Sequence, residues 1–449
     1  MGEVSIPSWA YWGAQTQRAV RNFDVSTSRI PGLMIEALAL IKKNAALANS
    51  ELGLIDSKIA EAVAEAAVEV LERKWDKHFP VDVFQTGSGT SWNMNVNEVI
   101  ANRANVILGH PIGNRDPVHP NDHVNRCQSS NDVIPAAIHI ADRIAVERLL
   151  PKLGLLSKSL AGKEKEFKDI LKLGRTHLQD AVPMTLGQEF GGFKSQIEKG
   201  IQRVKTTCTN LEELALGGTA IGTGINCHPR FAGLTVSRIA KDTGLPFVTA
   251  QNKFEVIAAR DAQVELMGAL NTVAVSLSRI ANDMRLLASG PRAGIGEIIL
   301  PSLQPGSSIM PGKVNPVIPE MVIQVAAYIS GKTFSVTIAG QIGPLELNMM
   351  HPLIAFETLT AMDILLKTCE AFAEKCINGI RANKERCAHW IEWSLALVTP
   401  LATEIGYDRA AELAYKAYKE NRTIREVVEE AEILPPNKIN ELLDPKNMI

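Results

Sequence analysis

Eleven residues about two-thirds of the way along the chain combine side chains suited to chemistry on a small anion. The segment 306–316 contains two glycines, two prolines and two serines, together with Lys313 and Asn315. This composition predicts an irregular loop, because proline interrupts helices and central strands and glycine frees the backbone. A lysine ammonium and an asparagine amide both donate hydrogen bonds to a carboxylate. A polar surface turn is the plain alternative, and this segment alone does not decide between them.

Three other segments, 85–93, 128–132 and 174–180, place hydroxyl and amide side chains immediately before a predicted helix. The last of these helices is expected to start near Met184. Backbone N–H groups at a helix start, joined by hydroxyls, make an anion site. One such segment is unremarkable, since serine and threonine commonly cap helices. Together with 306–316, the three segments indicate a recurring means of binding anions.

The composition favours a large protein built from packed helices. Of 449 residues, 46% are hydrophobic but only 5% are aromatic, and the apolar residues are mostly Ala, Leu, Ile and Val. That suits packed helices better than β-sandwiches. The net charge of −2 gives no indication of a nucleic-acid partner. The six cysteines form no Cys-x-x-Cys pair, which argues against zinc-ribbon and redox motifs. We therefore expect no metal.

The helical pattern extends over most of the chain. Residues 33–75 predict two helices separated near Gly53, with Ser57 as the cap of the second. Residues 254–287 predict one uninterrupted helix, and 317–377 a more broken one, which together indicate a helical bundle. No apolar run approaches the roughly 18–20 residues of a membrane span, and no signal peptide is visible. We therefore expect a cytoplasmic protein without a membrane partner.

Several of these segments resemble one family. Segment 306–316 is similar to the signature of the fumarase/aspartase superfamily, and 214–220, 252–255, 294–298 and 129–131 resemble class II fumarases in particular. The resemblance covers nearly the whole chain. Segments 315–320 and 374–380 resemble ammonia-lyases instead, and Trp92 replaces the small or polar residue expected after Gly-Thr-Ser. Trp92 either narrows the entrance to the site or packs against a neighbour.

The resemblance implies a mostly α, three-domain fold. Its expected domains are an N-terminal lyase domain (1–128), a central helical bundle (129–384) and a small C-terminal helical domain (385–449). It also implies a homotetramer, in which four bundles form a twenty-helix core and each active site takes residues from three subunits. Outer helix faces would then be buried against other copies of the chain.

The implied reaction is the reversible trans-hydration of fumarate to L-malate in the tricarboxylic acid cycle, with no metal or organic cofactor. By the resemblance Ser307 is the base, and His177 and Glu320 act at the water position. The residues that the resemblance places around the substrate are Ser88, Thr90, Ser129, Ser130, Asn131, Thr176, Lys313 and Asn315. Those expected at a second dicarboxylate site are His119, Pro120, Asn121 and Asp122. An aspartate ammonia-lyase, which releases ammonia from L-aspartate, and a catalytically silent homologue are the alternatives.

Overall fold

The computed structural model describes residues 2–449, and helices dominate it. The longest, α5, has 37 residues. In chain order the helices are α1 (Ala14–Asn22), α2 (Gly32–Glu51), α3 (Ser57–Leu71), α4 (Thr90–Ile107), α5 (Ser130–Glu166), α6 (Leu186–Leu211), α7 (Phe231–Thr243), α8 (Lys253–Ala258), α9 (Asp261–Leu287), α10 (Val317–Gln341), α11 (His351–Lys375), α12 (Lys384–Trp393), α13 (Ala402–Ile405), α14 (Tyr407–Glu420), α15 (Ile424–Glu430) and α16 (Pro436–Leu442).

Short strands pair two by two. The antiparallel pair β1 (Leu171–Thr176) and β2 (Gln179–Thr185) forms a hairpin. The parallel pair is β3 (Glu213–Leu214) with β4 (Val248–Thr249), and the second antiparallel pair is β5 (Ile298–Ile299) with β6 (Arg381–Ala382). Over residues 2–449 no larger sheet is present. The mostly α class predicted from the sequence is therefore confirmed.

The chain divides into two compact units. The first contains the chain up to Leu150, Gln202–Thr272 and Ala327–Leu366; the second contains Pro151–Ile201, Val273–Ala326 and Lys367–Ile449. The first unit has alanine-rich helices such as α2 and α3, whose inner faces are fully buried. The second has a compact cluster in which Leu173 of β1 packs with residues of α12, α14, α15 and α16. The three-domain boundaries near 128 and 384 stay a prediction.

The expectations for the cap of α3 and for the helix over 254–287 were wrong. The cap of α3 is Asp56 rather than Ser57, because the Asp56 carboxylate accepts the N–H groups of Lys58 (2.9 Å) and Ile59 (3.4 Å). The helix expected over 254–287 is interrupted between α8 and α9, where Ala259 is extended. There the Arg260 guanidinium donates to the carbonyls of Val256 and Ala259. These two bonds hold the Arg260 side chain against the end of α8 at the break between the helices.

Two helices, α9 and α10, are long and apolar enough to cross a membrane by length and composition alone. The most apolar stretch of α9 is 50% buried and that of α10 is 28% buried. The sequence predicted helices over both segments but no membrane span, because polar residues interrupt their apolar runs. The most apolar stretch of α10 therefore contributes much exposed apolar surface.

Candidate active site

Ser88 and Thr90 lie where the chain turns from a loop into α4. Gly89, just before the helix, has a φ of 73°, which glycine adopts without steric penalty. Ser88 Oγ and Thr90 Oγ1 are 2.8 Å apart and share a hydrogen bond. The backbone of Met349 packs closely against this loop: a Cβ atom on Gly87 would lie 2.0 Å from the carbonyl oxygen of Met349. The two hydroxyls are therefore presented together from a fixed backbone.

Residues 129–131 form a second polar group at the start of α5. All three are partly exposed. Asn131 donates its backbone N–H to Ser129 Oγ (3.2 Å) and its side-chain amide to the Ala220 carbonyl (2.8 Å). Asn93, within the first turn of α4, donates to Ser130 Oγ at 3.0 Å. This bond connects the loop of Ser88 and Thr90 to the 129–131 group.

The buried Asp132 carboxylate links the 129–131 group to another part of the chain by hydrogen bonds. Its carboxylate accepts the backbone N–H groups of Ser129 (2.9 Å), Gly217 (3.0 Å) and Thr219 (2.9 Å). Complete burial raises the pKa of Asp132 to about 7, while the three N–H donors and the charge of Lys42 act in the opposite direction. Asp132 thus joins the 129–131 group to the glycine-rich segment 217–219. The sequence did not single out this buried carboxyl.

Thr176 and His177 lie in the second unit, at the tip of the β1–β2 hairpin. The sequence predicted a loop leading into a helix near Met184; instead, that segment pairs as a strand and α6 begins at Leu186. Thr176 pairs with Gln179, so His177 and Leu178 form a two-residue turn. Their φ values are 54° and 61°. Such turns match the twist of a hairpin but favour Asn-Gly, so a His-Leu turn gave no local signal.

Buried ion pairs hold this hairpin in place. Glu297 is fully buried, and its carboxylate contacts Lys172 Nζ at 3.3 Å and Arg175 Nη1 at 3.0 Å. Lys172, on the same strand, also contacts Glu189 at 3.0 Å. Paired buried charges tolerate the loss of water because they satisfy one another. The strand that ends at Thr176 is therefore fixed, while the hairpin tip that contains His177 is exposed.

Segment 306–316 is an irregular loop, as predicted. The Gly306 N–H donates to the Lys313 carbonyl (2.8 Å), and the Asn315 amide donates to the Gly306 carbonyl (2.7 Å), so the two ends of the loop are joined. Ser307 Oγ accepts the N–H groups of Ile309 (3.3 Å) and Met310 (3.0 Å). The loop lines a cavity of about 420 Å³ that includes Ser307 and Lys313. One N–H of the Asn315 side-chain amide is therefore used within the loop, which leaves the second N–H of that amide for another acceptor.

Glu320 and the segment 119–122 are the remaining site residues expected from the sequence. Glu320 is partly exposed in the first turn of α10. His119 precedes one turn of π-helix, and its Nδ1 accepts the N–H groups of Asn121 (3.3 Å) and Asp122 (3.2 Å). Pro120 is buried, whereas Asn121 and Asp122 are exposed. The segment is thus a rigid turn that presents polar side chains to solvent.

The structure groups the expected residues by unit. Ser88, Thr90, 119–122 and 129–131 belong to the first unit, and Thr176, His177, Ser307, Lys313, Asn315 and Glu320 to the second. Trp92 is fully buried, so it packs inside the fold rather than narrowing an entrance. No cluster of three or more residues suited to holding a metal occurs between residues 2 and 449.

Sequence reasoning missed the polar residues beneath the site. Lys42 of α2 is fully buried, and its Nζ donates to side-chain oxygens of Asn125 (3.0 Å) and Gln128 (2.8 Å). Asn93 and Asn97, one helical turn apart on α4, are also buried. A lysine within an alanine- and leucine-rich helix, and asparagines at helical spacing, were the available signals.

Protein-family models match both ends of this chain. A model described as lyase matches residues 2–331, and one described as fumarase C C-terminus matches residues 397–449. A class II fumarate hydratase of Nitrosomonas europaea is 50% identical over 449 residues, covering 100% of this chain and 97% of the relative. This chain belongs to the class II fumarate hydratase family.

Other members of the class II fumarate hydratase family resemble this chain over its full length. A mitochondrial fumarate hydratase of Danio rerio is 51% identical over 451 residues, covering 100% of this chain and 88% of the relative. The crystal structure of a class II fumarase from Schistosoma mansoni superposes with a TM-score of 0.96 at 40% identity, covering 100% of this chain and 97% of that one. The family resemblance inferred from the sequence is therefore confirmed.

Proposed function

We propose that this protein catalyses the reversible trans-hydration of fumarate to L-malate, a reaction of the tricarboxylic acid cycle. The observation that carries the proposal is the full-length similarity, at 50% identity, to a protein named class II fumarate hydratase. The polar groups described above suit this substrate. Hydroxyls, amides and an ammonium group all donate hydrogen bonds, and the two ionised carboxylates of fumarate or L-malate offer only acceptors.

We assign the base to Ser307. In the direction from malate to fumarate, the base takes a proton from the carbon next to a carboxylate, and the resulting aci-carboxylate carries two negative charges at one end. A serine hydroxyl acts as a base only if its deprotonated form is stabilised. Ser307 Oγ accepts two backbone N–H groups, from Ile309 and Met310, and such donors stabilise a negatively charged oxygen. This geometry supports the assignment.

We assign substrate binding to the remaining donors of the two units. Ser88, Thr90, Ser129, Ser130 and Asn131 are the proposed donors of the first unit, and Thr176, Lys313 and Asn315 those of the second. Donors already fixed in the folded protein stabilise developing charge without reorganisation. The hydrogen bonds that fix Ser88, Thr90 and the 129–131 group support this role.

His177 and Glu320 are proposed to act on the oxygen that leaves the substrate as water. An imidazole moves a proton readily near neutral pH, and a carboxylate can orient it. His177 is exposed at a hairpin tip, which leaves its ring free to meet a ligand. The segment 119–122 is proposed as a second dicarboxylate site, and its rigid, solvent-facing turn supports this assignment.

Self-assembly into a homotetramer with active sites shared by three subunits is part of the proposal. On α10, Phe334 is 69% exposed, Tyr328 49% and Ile338 38%. An apolar helix face of this kind suits burial against other copies of the same chain. We expect light scattering to give four times the chain mass, and Phe334→Glu to lower it. Tyr418→Glu, at a residue 73% exposed on α14, is the matched control. A monomeric wild-type protein at micromolar concentration contradicts the assembly.

The compartment that we propose is the cytoplasm. Within residues 2–449 all six cysteines are free thiols. Unpaired cysteines are typical of reducing compartments. Fractionation of the native host would test this location.

The catalytic proposal is tested by following the ultraviolet absorbance of fumarate. We expect absorbance to fall in water without ammonium, since the double bond is lost when water adds. Consumption only with ammonium would identify an aspartate ammonia-lyase, and no consumption in either case would indicate a silent homologue.

The base assignment is tested by comparing two adjacent serines. We expect Ser307→Ala to lower kcat by about 10²–10⁴-fold, the usual contribution of a proton-transfer group, with little change in KM. Ser308→Ala is the matched control and should have a smaller effect. If Ser308→Ala is the more damaging change, the base is not Ser307. If both variants stay active, His177 is the next candidate.

A further inference from the structure

Lys42 is a charged residue buried beneath the proposed site. It lies within α2, and its side chain is completely buried. Burial lowers the pKa of Lys42 to about 7, and the negative charge of Asp132 opposes this shift. An apolar residue of the same length would fill the space without this desolvation penalty. The position of the lysine therefore calls for an explanation beyond packing.

The partners of Lys42 are side-chain oxygens of two amides. Its Nζ donates to Asn125 Oδ1 at 3.0 Å and to Gln128 Oε1 at 2.8 Å. Amide groups present a carbonyl at one end and an NH₂ at the other, and their orientation follows their neighbours. A lysine donates through its N–H groups, so it turns the carbonyl end of each amide towards itself. The opposite ends of both amides are bound to backbone, since Asn125 Nδ2 donates to the Gln128 carbonyl at 3.1 Å and Gln128 Nε2 to the Val124 carbonyl at 3.1 Å. Lys42 thus acts together with these carbonyls to hold the oxygens of Asn125 and Gln128 towards the buried ammonium group.

The orientation of Asn125 is passed on to Ser130. Asn125 Oδ1 also accepts from Asn93 Nδ2 at 3.2 Å and from Asn97 Nδ2 at 3.1 Å. The same Asn93 Nδ2 donates to Ser130 Oγ at 3.0 Å. The two hydrogens of the Asn93 amide are therefore directed to Asn125 and to Ser130. Because Ser130 Oγ accepts this bond, its own hydrogen is free to be donated to a ligand.

We propose that Lys42 is a positioning residue for substrate binding: through Asn125 and Asn93 it holds the Ser130 hydroxyl as a donor to a substrate carboxylate. This inference rests on the proposed function, because it takes Ser130 as a ligand of the dicarboxylate. Lys42 itself does not touch the substrate. Its removal takes away the ammonium donor to Asn125 Oδ1, so that Asn125 holds Asn93, and through it the Ser130 hydroxyl, less firmly.

The test compares Lys42→Met with Lys43→Met. Methionine keeps most of the length of the side chain but supplies no N–H donor. Lys43 is the adjacent, partly exposed lysine, which pairs with Asp242 at 2.9 Å. The readouts are the inhibition constant for succinate, a dicarboxylate without a double bond, and kcat and KM for fumarate. We expect Lys42→Met to raise the inhibition constant and KM at least tenfold with a smaller change in kcat. Lys43→Met should leave the inhibition constant and KM within twofold of the wild-type values.

A double mutant separates positioning from a structural role. In a Ser130→Ala background, Lys42→Met should change the inhibition constant by less than twofold, because the hydroxyl that it positions is absent. Asn93→Leu, one step nearer to the hydroxyl, should behave in the same way, and it decides the matter if Lys42→Met does not fold. An equal effect with and without Ser130, or a lowered melting temperature with unchanged inhibition, overturns the inference.

The wild-type protein provides the remaining control. If it neither hydrates fumarate nor binds succinate, the proposed function fails and the inference fails with it. If it does both while Lys42→Met and Asn93→Leu bind succinate normally, only the role of Lys42 is refuted.

Discussion

Gly87 offers the most direct test of how the Ser88–Thr90 loop is held. A Cβ atom at this position would lie 2.0 Å from the Met349 carbonyl oxygen and 2.9 Å from its Cβ. Since the nearest obstacle is backbone, the loop in Gly87→Ala must recede by roughly 1.5 Å to reach an ordinary contact distance. The same movement disturbs the bond in which the His351 N–H donates to the Gly87 carbonyl at 3.1 Å.

The expected loss of stability follows from these two contacts. Overpacking typically lowers the free energy of unfolding by about 1–3 kcal/mol, and a lost backbone hydrogen bond by about 0.5–1.5 kcal/mol. We therefore expect Gly87→Ala to lower it by roughly 2–4 kcal/mol. A displacement of about 1 Å at a substrate-binding group lowers the rate on the order of 10²-fold. The measurements are denaturant unfolding and kcat/KM for fumarate.

The control is the same substitution where space is available. Gly233 lies in α7, is exposed, and has no heavy atom within 4 Å of the position that a Cβ would take. Gly233→Ala should raise the free energy of unfolding by about 0.5–1 kcal/mol, because alanine favours a helix. If Gly87→Ala unfolds like the wild type and keeps its kcat/KM, the loop is not held by Met349 and the reasoning from close packing is refuted.

Three further predictions concern the loop cation, a buried histidine and a helix cap. Lys313→Ala should raise the inhibition constant for a dicarboxylate at least tenfold, since a charge-assisted contact contributes about 1.5–3 kcal/mol; a lowered melting temperature with normal inhibition would make Lys313 structural. Burial and the charge of Arg260 lower the pKa of His139 from 6.5 to about 3, so unfolding takes up a proton and stability declines as pH falls from 6.5 towards 3. His139→Gln should therefore reduce, by about 1.4 kcal/mol per pH unit, the rate at which the free energy of unfolding declines with falling pH. Denaturant titrations at several pH values measure this dependence, and an unchanged dependence would contradict the prediction. Thr423→Ala removes the cap of α15, in which Thr423 Oγ1 accepts the Glu426 N–H at 3.2 Å, and should lower the free energy of unfolding by about 1 kcal/mol without affecting kcat.

The sequence predicted the features that depend on local composition. Glycines, prolines and hydroxyls identified the 306–316 loop, and alanine and leucine at helical spacing identified α2 and α3. Boundaries were wrong where the local pattern gave no sign of a break. The helix expected over 254–287 breaks where Arg260 bonds to carbonyls, and the strand hairpin before α6 was hidden because its turn lacks glycine.

The support beneath the site could not be predicted, because it is made by contacts between distant parts of the chain. Lys42 and Asn125 are 83 positions apart, and Asn93 and Ser130 are 37 apart. No local pattern specifies which amide a buried lysine will face. The residue types alone indicate that a lysine is unusual within an apolar helix. The partners of that lysine follow only from the packing of α2 against the elements around it.

The turn formed by His177 and Leu178 carries a consequence for how this sequence can vary. Both residues have a left-handed backbone, which disfavours non-glycine residues by about 1–2 kcal/mol each. In a library randomised at these two positions, selection for folding alone should enrich Asn-Gly. Selection for growth on fumarate hydration should instead retain histidine at position 177 and release only position 178. The two selections therefore differ at position 177, where the proposed role of His177 opposes the preference of its own backbone.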